Sequence, residues 1–94
     1  MNGIEAQNLL RLLEDTARGI GVQIRYENLF GDDEIGGSRG GLCKLRGQNM
    51  ILVERRLSPI DQCTIIAEAL STFDLSSIFV SPLVRQIVEK NSRF

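Results

Sequence analysis

Apolar residues recur along the first twenty positions at Ile4, Leu9, Leu10, Leu12, Leu13, Ala17 and Ile20. That spacing predicts an amphipathic helix over 4–20 with a broad apolar stripe. Gly19 and Gly21 mark its end, because glycine just past a helix relieves the backbone. The pattern then changes period. Val22, Ile24 and Tyr26 alternate with Gln23, Arg25 and Glu27, which reads as a strand with one face buried. Gly31 to Gly41 is rich in glycine and charge and has little to bury, so it reads as a loop. Leu42 to Leu45 form a short strand, Arg46-Gly47-Gln48-Asn49 a tight connection, and Met50 to Val53 an unbroken apolar run suited to a strand covered on both faces. Leu42 to Val53 is therefore expected to be a β-hairpin.

Two helix starts follow. In Ser58-Pro59-Ile60-Asp61, Ser58 suits the N-cap, Pro59 the first helical position and Asp61 a capping-box position. The helix is expected to run to about Phe73 with Ile60, Cys63, Ile66, Ala67, Leu70 and Phe73 inward. Ser81-Pro82 repeats the signal and opens a last helix to about Lys90, offering Leu83, Val84, Ile87 and Val88. Leu75, Ile78 and Phe79 are apolar within the connection, which is therefore expected to pack. The fold class is α+β: an N-terminal helix, a small three-stranded antiparallel sheet and two C-terminal helices, the helices covering one face of the sheet.

Composition narrows the picture. The chain has 94 residues, enough for one domain over 1–94 with a thin core that self-association would enlarge. Net charge is -1 and acids and bases are interleaved. The nearest approaches to a basic patch are Arg55-Arg56 and the Lys44/Arg46 pair, so nucleic acid is not the expected partner. No apolar run is long enough to span a membrane, and the N-terminus lacks the pattern of a signal peptide. The expected setting is a reducing cytoplasm, with the two cysteines, Cys43 and Cys63, unpaired.

The residue types exclude several chemistries. There is no histidine, so neither a Ser-His-Asp nor a Cys-His nucleophile pair can form, and the usual neutral-pH acid/base is missing. Cys43 and Cys63 would supply two ligands to zinc, but no spacing nominates a third and fourth. Gly36 and Gly41 have the separation of a phosphate-binding loop, yet Leu42 stands where its lysine must be and a strand follows rather than a helix. No cofactor is expected. Cys43 lies near Lys44 and Arg46, cations that would activate a thiol. On a strand, however, it points away from Lys44 and toward the face of Leu45, and so reads as a core thiol, as does Cys63. Glu68, between Ala67 and Ala69, reads as a solvent-facing helical carboxylate.

A hairpin ending in an apolar strand, a Leu57-Ser58-Pro59 helix start and a helix with Glu68 at its middle resemble the core of minimal zinc peptidases, the small phage-repressor-cleaving type whose helix carries HExxH. The segment Ile51 to Pro59 resembles the family's approach to that helix, and Ala67-Glu68-Ala69-Leu70-Ser71 occupies the motif's place. Glu68 matches the family's general base, while Ala67 and Ser71 replace both zinc-binding histidines. The resemblance covers about 40–73. It implies a zincin-like scaffold whose metal site is erased, with Glu68 left without a metal-bound water to deprotonate. It also implies an outer strand that receives a peptide by β-augmentation.

The leading expectation is thus a non-catalytic zincin-like domain, a pseudoenzyme that binds a protein or peptide or regulates one. The alternatives are an assembly protein acting as a homo-oligomer such as a homodimer, resting on the apolar last helix, and an enzyme using Cys43 or Glu68. Candidate site residues are Glu68, Ser71 and Cys43, beneath the 36–41 loop, with Lys44 and Arg46 placed to meet an acidic partner at the strand edge.

Overall fold

The computed structural model describes residues 2–29 and 39–92. Its element order is α1 (Gly3–Gly19), β1 (Gln23–Glu27), β2 (Gly40–Leu45), β3 (Gln48–Glu54), α2 (Pro59–Leu70) and α3 (Pro82–Lys90). This is the expected α+β order.

Each helix begins on a side-chain cap. Asn2 accepts from Glu5 N at 2.8 Å, Ser58 Oγ from Asp61 N at 3.3 Å, and Ser81 Oγ from Val84 N at 3.3 Å. Each cap satisfies one N–H that the first turn leaves unpaired. Asp61 itself turns to Arg39, 3.6 Å away. α1 ends in a Schellman motif, with Val22 N donating to Ala17 O and Gly21 N to Arg18 O. Gly21 takes the left-handed conformation this requires, at φ 76°.

The sheet is mixed rather than wholly antiparallel. Strand order is β1-β3-β2. β2 and β3 form the expected antiparallel hairpin, Leu42 facing Ile51 and Cys43 facing Met50. Its turn is tighter than the sequence reading, because Gln48 and Asn49 belong to β3. Arg46 and Gly47, at φ 54° and 78°, supply the two positive values of a primed turn. β1 pairs parallel to β3, Ile24 beside Ile51 and Tyr26 beside Val53. Among the described residues the last strand in sequence is therefore the central one, and both β1 and β2 are edges. Gly40 and Gly41, expected in the loop, belong to β2. The remainder of that loop and its site role, 31–38, fall outside the described residues.

One face of the sheet is covered. Ile51 and Val53 of β3 join Leu9, Leu13 and Ala17 of α1, Cys63, Ile66, Ala67 and Leu70 of α2, and Val84 and Val88 of α3 in one core. These positions recur at helical spacing on each helix and at every second residue on β3. Two inward expectations fail. Ile60 sits in the first turn of α2, away from the sheet, and is exposed. In the 71–81 connection Leu75 and Ile78 pack on the core, but Phe79 stays 86% exposed.

Candidate functional site

β2 is an edge strand with a helix alongside it. Between β2 and α2 lies a groove of about 300 Å³ lined by Gly41, Leu42, Ile65, Glu68, Ala69, Ser71 and Thr72. The hairpin register fixes what the edge offers. Glu54 N donates to Arg39 O, so residues 39, 41, 43 and 45 exchange bonds with β3, and the alternation turns the N–H and C=O of Leu42 and Lys44 outward. Gly40 begins the strand close against Ile65 of the groove wall. Its φ is +134°, and a Cβ there would lie 2.2 Å from Leu52 O and 3.1 Å from Ile65 Cγ2. Only glycine allows α2 and β3 to approach the strand this closely.

The structure brings Glu68 and Ser71 together in this groove and places Cys43 elsewhere. Side chains alternate along β2. Leu42, opposite the buried Ile51, faces the helices; Cys43, opposite Met50, faces the uncovered side with Leu29 and Leu52. Cys43 is thus a half-exposed thiol on the open face, not the core thiol expected, because the helices cover the other side. Glu68 is half-buried in the groove wall rather than fully solvent-facing. Ser71 Oγ donates to Glu68 O at 2.6 Å and Thr72 Oγ1 to Ala69 O at 2.7 Å, so both hydroxyls are turned onto the carbonyls ending α2. Ala67 is wholly buried in the core. Lys44 and Arg46 are exposed at the hairpin end of the same strand. Among the described residues no group of three or more Cys, Asp or Glu is gathered closely enough to hold a metal ion, and no helix is long and apolar enough to cross a membrane.

Two polar arrangements were missed by the sequence reading. Glu54 is wholly buried. Its Oε1 accepts from Leu29 N at 2.7 Å, and its Oε2 from Arg56 N at 2.7 Å and Arg56 Nε at 3.1 Å. Its own N–H bonds Arg39 O, and Gln62 Nε2 donates to Arg55 O at 3.2 Å. Glu54 therefore fastens the backbone on both sides of 30–38 to the end of β3, Leu29 through its carboxylate and Arg39 through its own N–H, beside the first turn of α2. The only sequence signal was an acid directly after an apolar run at the parity of Met50 and Leu52.

The second arrangement lies by the other edge. A hollow of about 390 Å³ runs beside β1, lined by Glu14, Arg18, Gln23, Ile24, Tyr26 and Gln48 among others. Tyr26 Oη donates to the Glu14 carboxylate. Burial, then the Glu14 hydrogen bond and charge, raise the Tyr26 hydroxyl well above its ordinary pKa. Cys63 Sγ donates to Ala6 O at 3.4 Å. Burial first, and then the Glu14 charge, push its thiol up to about 11, so Cys63 is the inert core thiol expected. Comparison with protein-family models, curated proteins and solved structures finds no match for this chain.

Proposed function

We propose that this chain is a non-catalytic binding domain that takes an extended peptide along the outer edge of β2, on a zincin-like scaffold without metal ligands. The observation that carries the reading is the conjunction of outward-turned Leu42 and Lys44 backbone groups with the adjoining groove under α2. An added strand would gain main-chain hydrogen bonds from the edge and side-chain selection from the groove. Exposed Leu42, with Ile65 and Ala69 behind it, suits an apolar side chain. Lys44, two residues on along the same face and next to the turn carrying Arg46, suits a carboxylate. Antiparallel addition sets the order in the peptide, from its N-terminus: acidic residue, spacer, apolar residue.

Catalysis is the weaker reading. Cys43 and Glu68 face opposite sides of β2 and share no cleft. Neither Ala67 nor Ser71 presents a ligand that would make Glu68 the base of a metal-bound water.

Peptide selection on the purified full chain tests the proposal, using a random decapeptide library displayed on phage. Enriched sequences should carry the acidic-spacer-apolar spacing. Their binding, read by fluorescence anisotropy, should fall at least tenfold in Leu42→Pro. Proline removes an outward N–H and no ladder bond, so far-UV circular dichroism should be unchanged. No enrichment, or equal binding by Leu42→Pro, refutes the reading.

A further inference from the structure

The opposite edge of the sheet has a different charge pattern, and it is complementary to itself. Arg55 N donates to Glu27 O, which fixes the phase of the parallel pairing. Gln23, Arg25 and Glu27 bond to β3, while Ile24 and Tyr26 turn their backbone groups outward beside the 390 Å³ hollow. Arg25 and Glu27 lie on the uncovered face of the sheet, 2.8 Å apart, with side chains 48% and 36% exposed.

We propose that two copies of the chain join through β1, antiparallel, about a twofold axis at Tyr26, so that two three-stranded sheets become one. In this register each Tyr26 N–H meets the other copy's Tyr26 C=O, and Arg25 falls opposite the second copy's Glu27 in both directions. Cross-strand pairs at such positions are the closest in an antiparallel ladder. The neighbouring registers that keep the same hydrogen-bond phase are repulsive. A slip one way sets Arg25 opposite Arg25, and a slip the other way sets Glu27 opposite Glu27. Charge therefore selects the Tyr26-centred register as well as the edge. On the helix side, the two Tyr26 rings become neighbours across the axis, each held in place by its own Glu14, and aromatic cross-strand pairs are favourable. The contact from Arg55 Nη2 to Tyr26 O, long at 3.3 Å and exposed, is displaced.

The β2 edge cannot pair with a copy of itself in this way. Gly40–Leu45 carries Lys44 and no acid, so a copy of itself offers Lys44 no opposite charge. A closed twofold at β1 also leaves each copy's β2 groove free at an outer end of the joined sheet.

Sedimentation equilibrium on the full chain, from micromolar to millimolar concentration, tests the proposal. The wild type should show a monomer–dimer equilibrium. Arg25→Glu and Glu27→Arg each turn two attractive pairs into two repulsive ones, and each should weaken self-association by about ten- to thirty-fold. Mixed one to one, the two variants should form a heterodimer as strong as the wild-type dimer, since every cross-axis pair is again of opposite sign. The double variant R25E/E27R should dimerise as the wild type does, and Leu42→Pro should leave the dimer intact. A wild type monomeric at millimolar concentration overturns the proposal. So do single variants that dimerise undiminished, a mixture that does not recover, or loss of the dimer in Phe79→Ser, which would place the contact on the helix side.

Discussion

Replacing Glu54 by alanine should cost this domain a large part of its stability. The wholly buried carboxylate accepts from Leu29 N and Arg56 N, each at 2.7 Å, and from the Arg56 guanidinium. Removing it leaves two backbone donors in a part-buried site without that acceptor, at about 1–3 kcal/mol each. Against this stands the recovered cost of desolvating the carboxylate, which its several hydrogen bonds already offset in part. A net loss of about 3 kcal/mol follows, against a total of roughly 5–14 kcal/mol for a chain of this length. Since 1 kcal/mol moves Tm by about 4–8 °C in domains of this size, Tm should fall by about 12–24 °C. Glu54→Gln keeps one acceptor and should lose about half as much. The Arg56 side chain is 56% exposed and Arg56→Met leaves the carboxylate both backbone donors, so it should cost less than Glu54→Ala. Urea unfolding of the three variants gives the comparison. A Glu54→Ala chain within 1 kcal/mol of wild type, or one no worse than Arg56→Met, refutes the argument that the backbone donors carry the effect.

Gly40→Ala should lower stability by about 3 kcal/mol or more, because its Cβ would meet Leu52 O at 2.2 Å in a backbone conformation that L-residues avoid; thermal unfolding reads it. The Cys63 thiol, raised to about 11 in the folded chain, keeps its proton where the unfolded thiol has lost its own. The contribution is whole below the unfolded pKa of about 8.5 and is lost as pH rises through 11. Denaturant midpoints should therefore fall between pH 9 and pH 11, and fall less steeply in Cys63→Ala, by an amount on the order of 2 kcal/mol. At pH 8 a thiol reagent should label Cys43 in the native protein and Cys63 only after unfolding; equal rates would contradict the burial described for Cys63. Chain purified without chelators should carry less than one zinc in ten molecules by elemental analysis, since it has no histidine, and a stoichiometric ion would undo the account of the groove.

What local sequence encodes, it encoded here. Ser58-Pro59 and Ser81-Pro82 mark real helix starts, and Gly21 ends α1 through a specific capping geometry. Alternation correctly put Cys43 on the face opposite Lys44. What failed was long-range. Nothing within Val22–Glu27 states that β1 lies parallel to β3, because the same alternating pattern serves either direction of pairing. Which face of β2 the helices cover follows from that sheet order, so the surroundings of Cys43 were misjudged for the same reason. Glu54 shares the parity of Met50 and Leu52 on the uncovered face, and only the return of the chain at Leu29 and Arg56 buries it. The Tyr26–Glu14 bond joins separate elements across twelve positions. For the groove, Glu68 and Ser71 were singled out by the HExxH resemblance and share one wall because they stand three apart at the end of α2, whereas Gly40 looked like loop until α2 and β3 closed around it.

The central position of β3 bears on how the chain is made as well as on how it rests. α1, β1 and β2 leave the ribosome before Gln48–Glu54 does, so for that interval neither outer strand has its sheet partner. Ile24, Tyr26 and Leu42 stay uncovered until Ile51 and Val53 emerge. Nascent chains held when the chain has cleared the exit tunnel only to about residue 47 should then be the most prone to stick to one another or to a chaperone, and emergence of β3 should end that vulnerability.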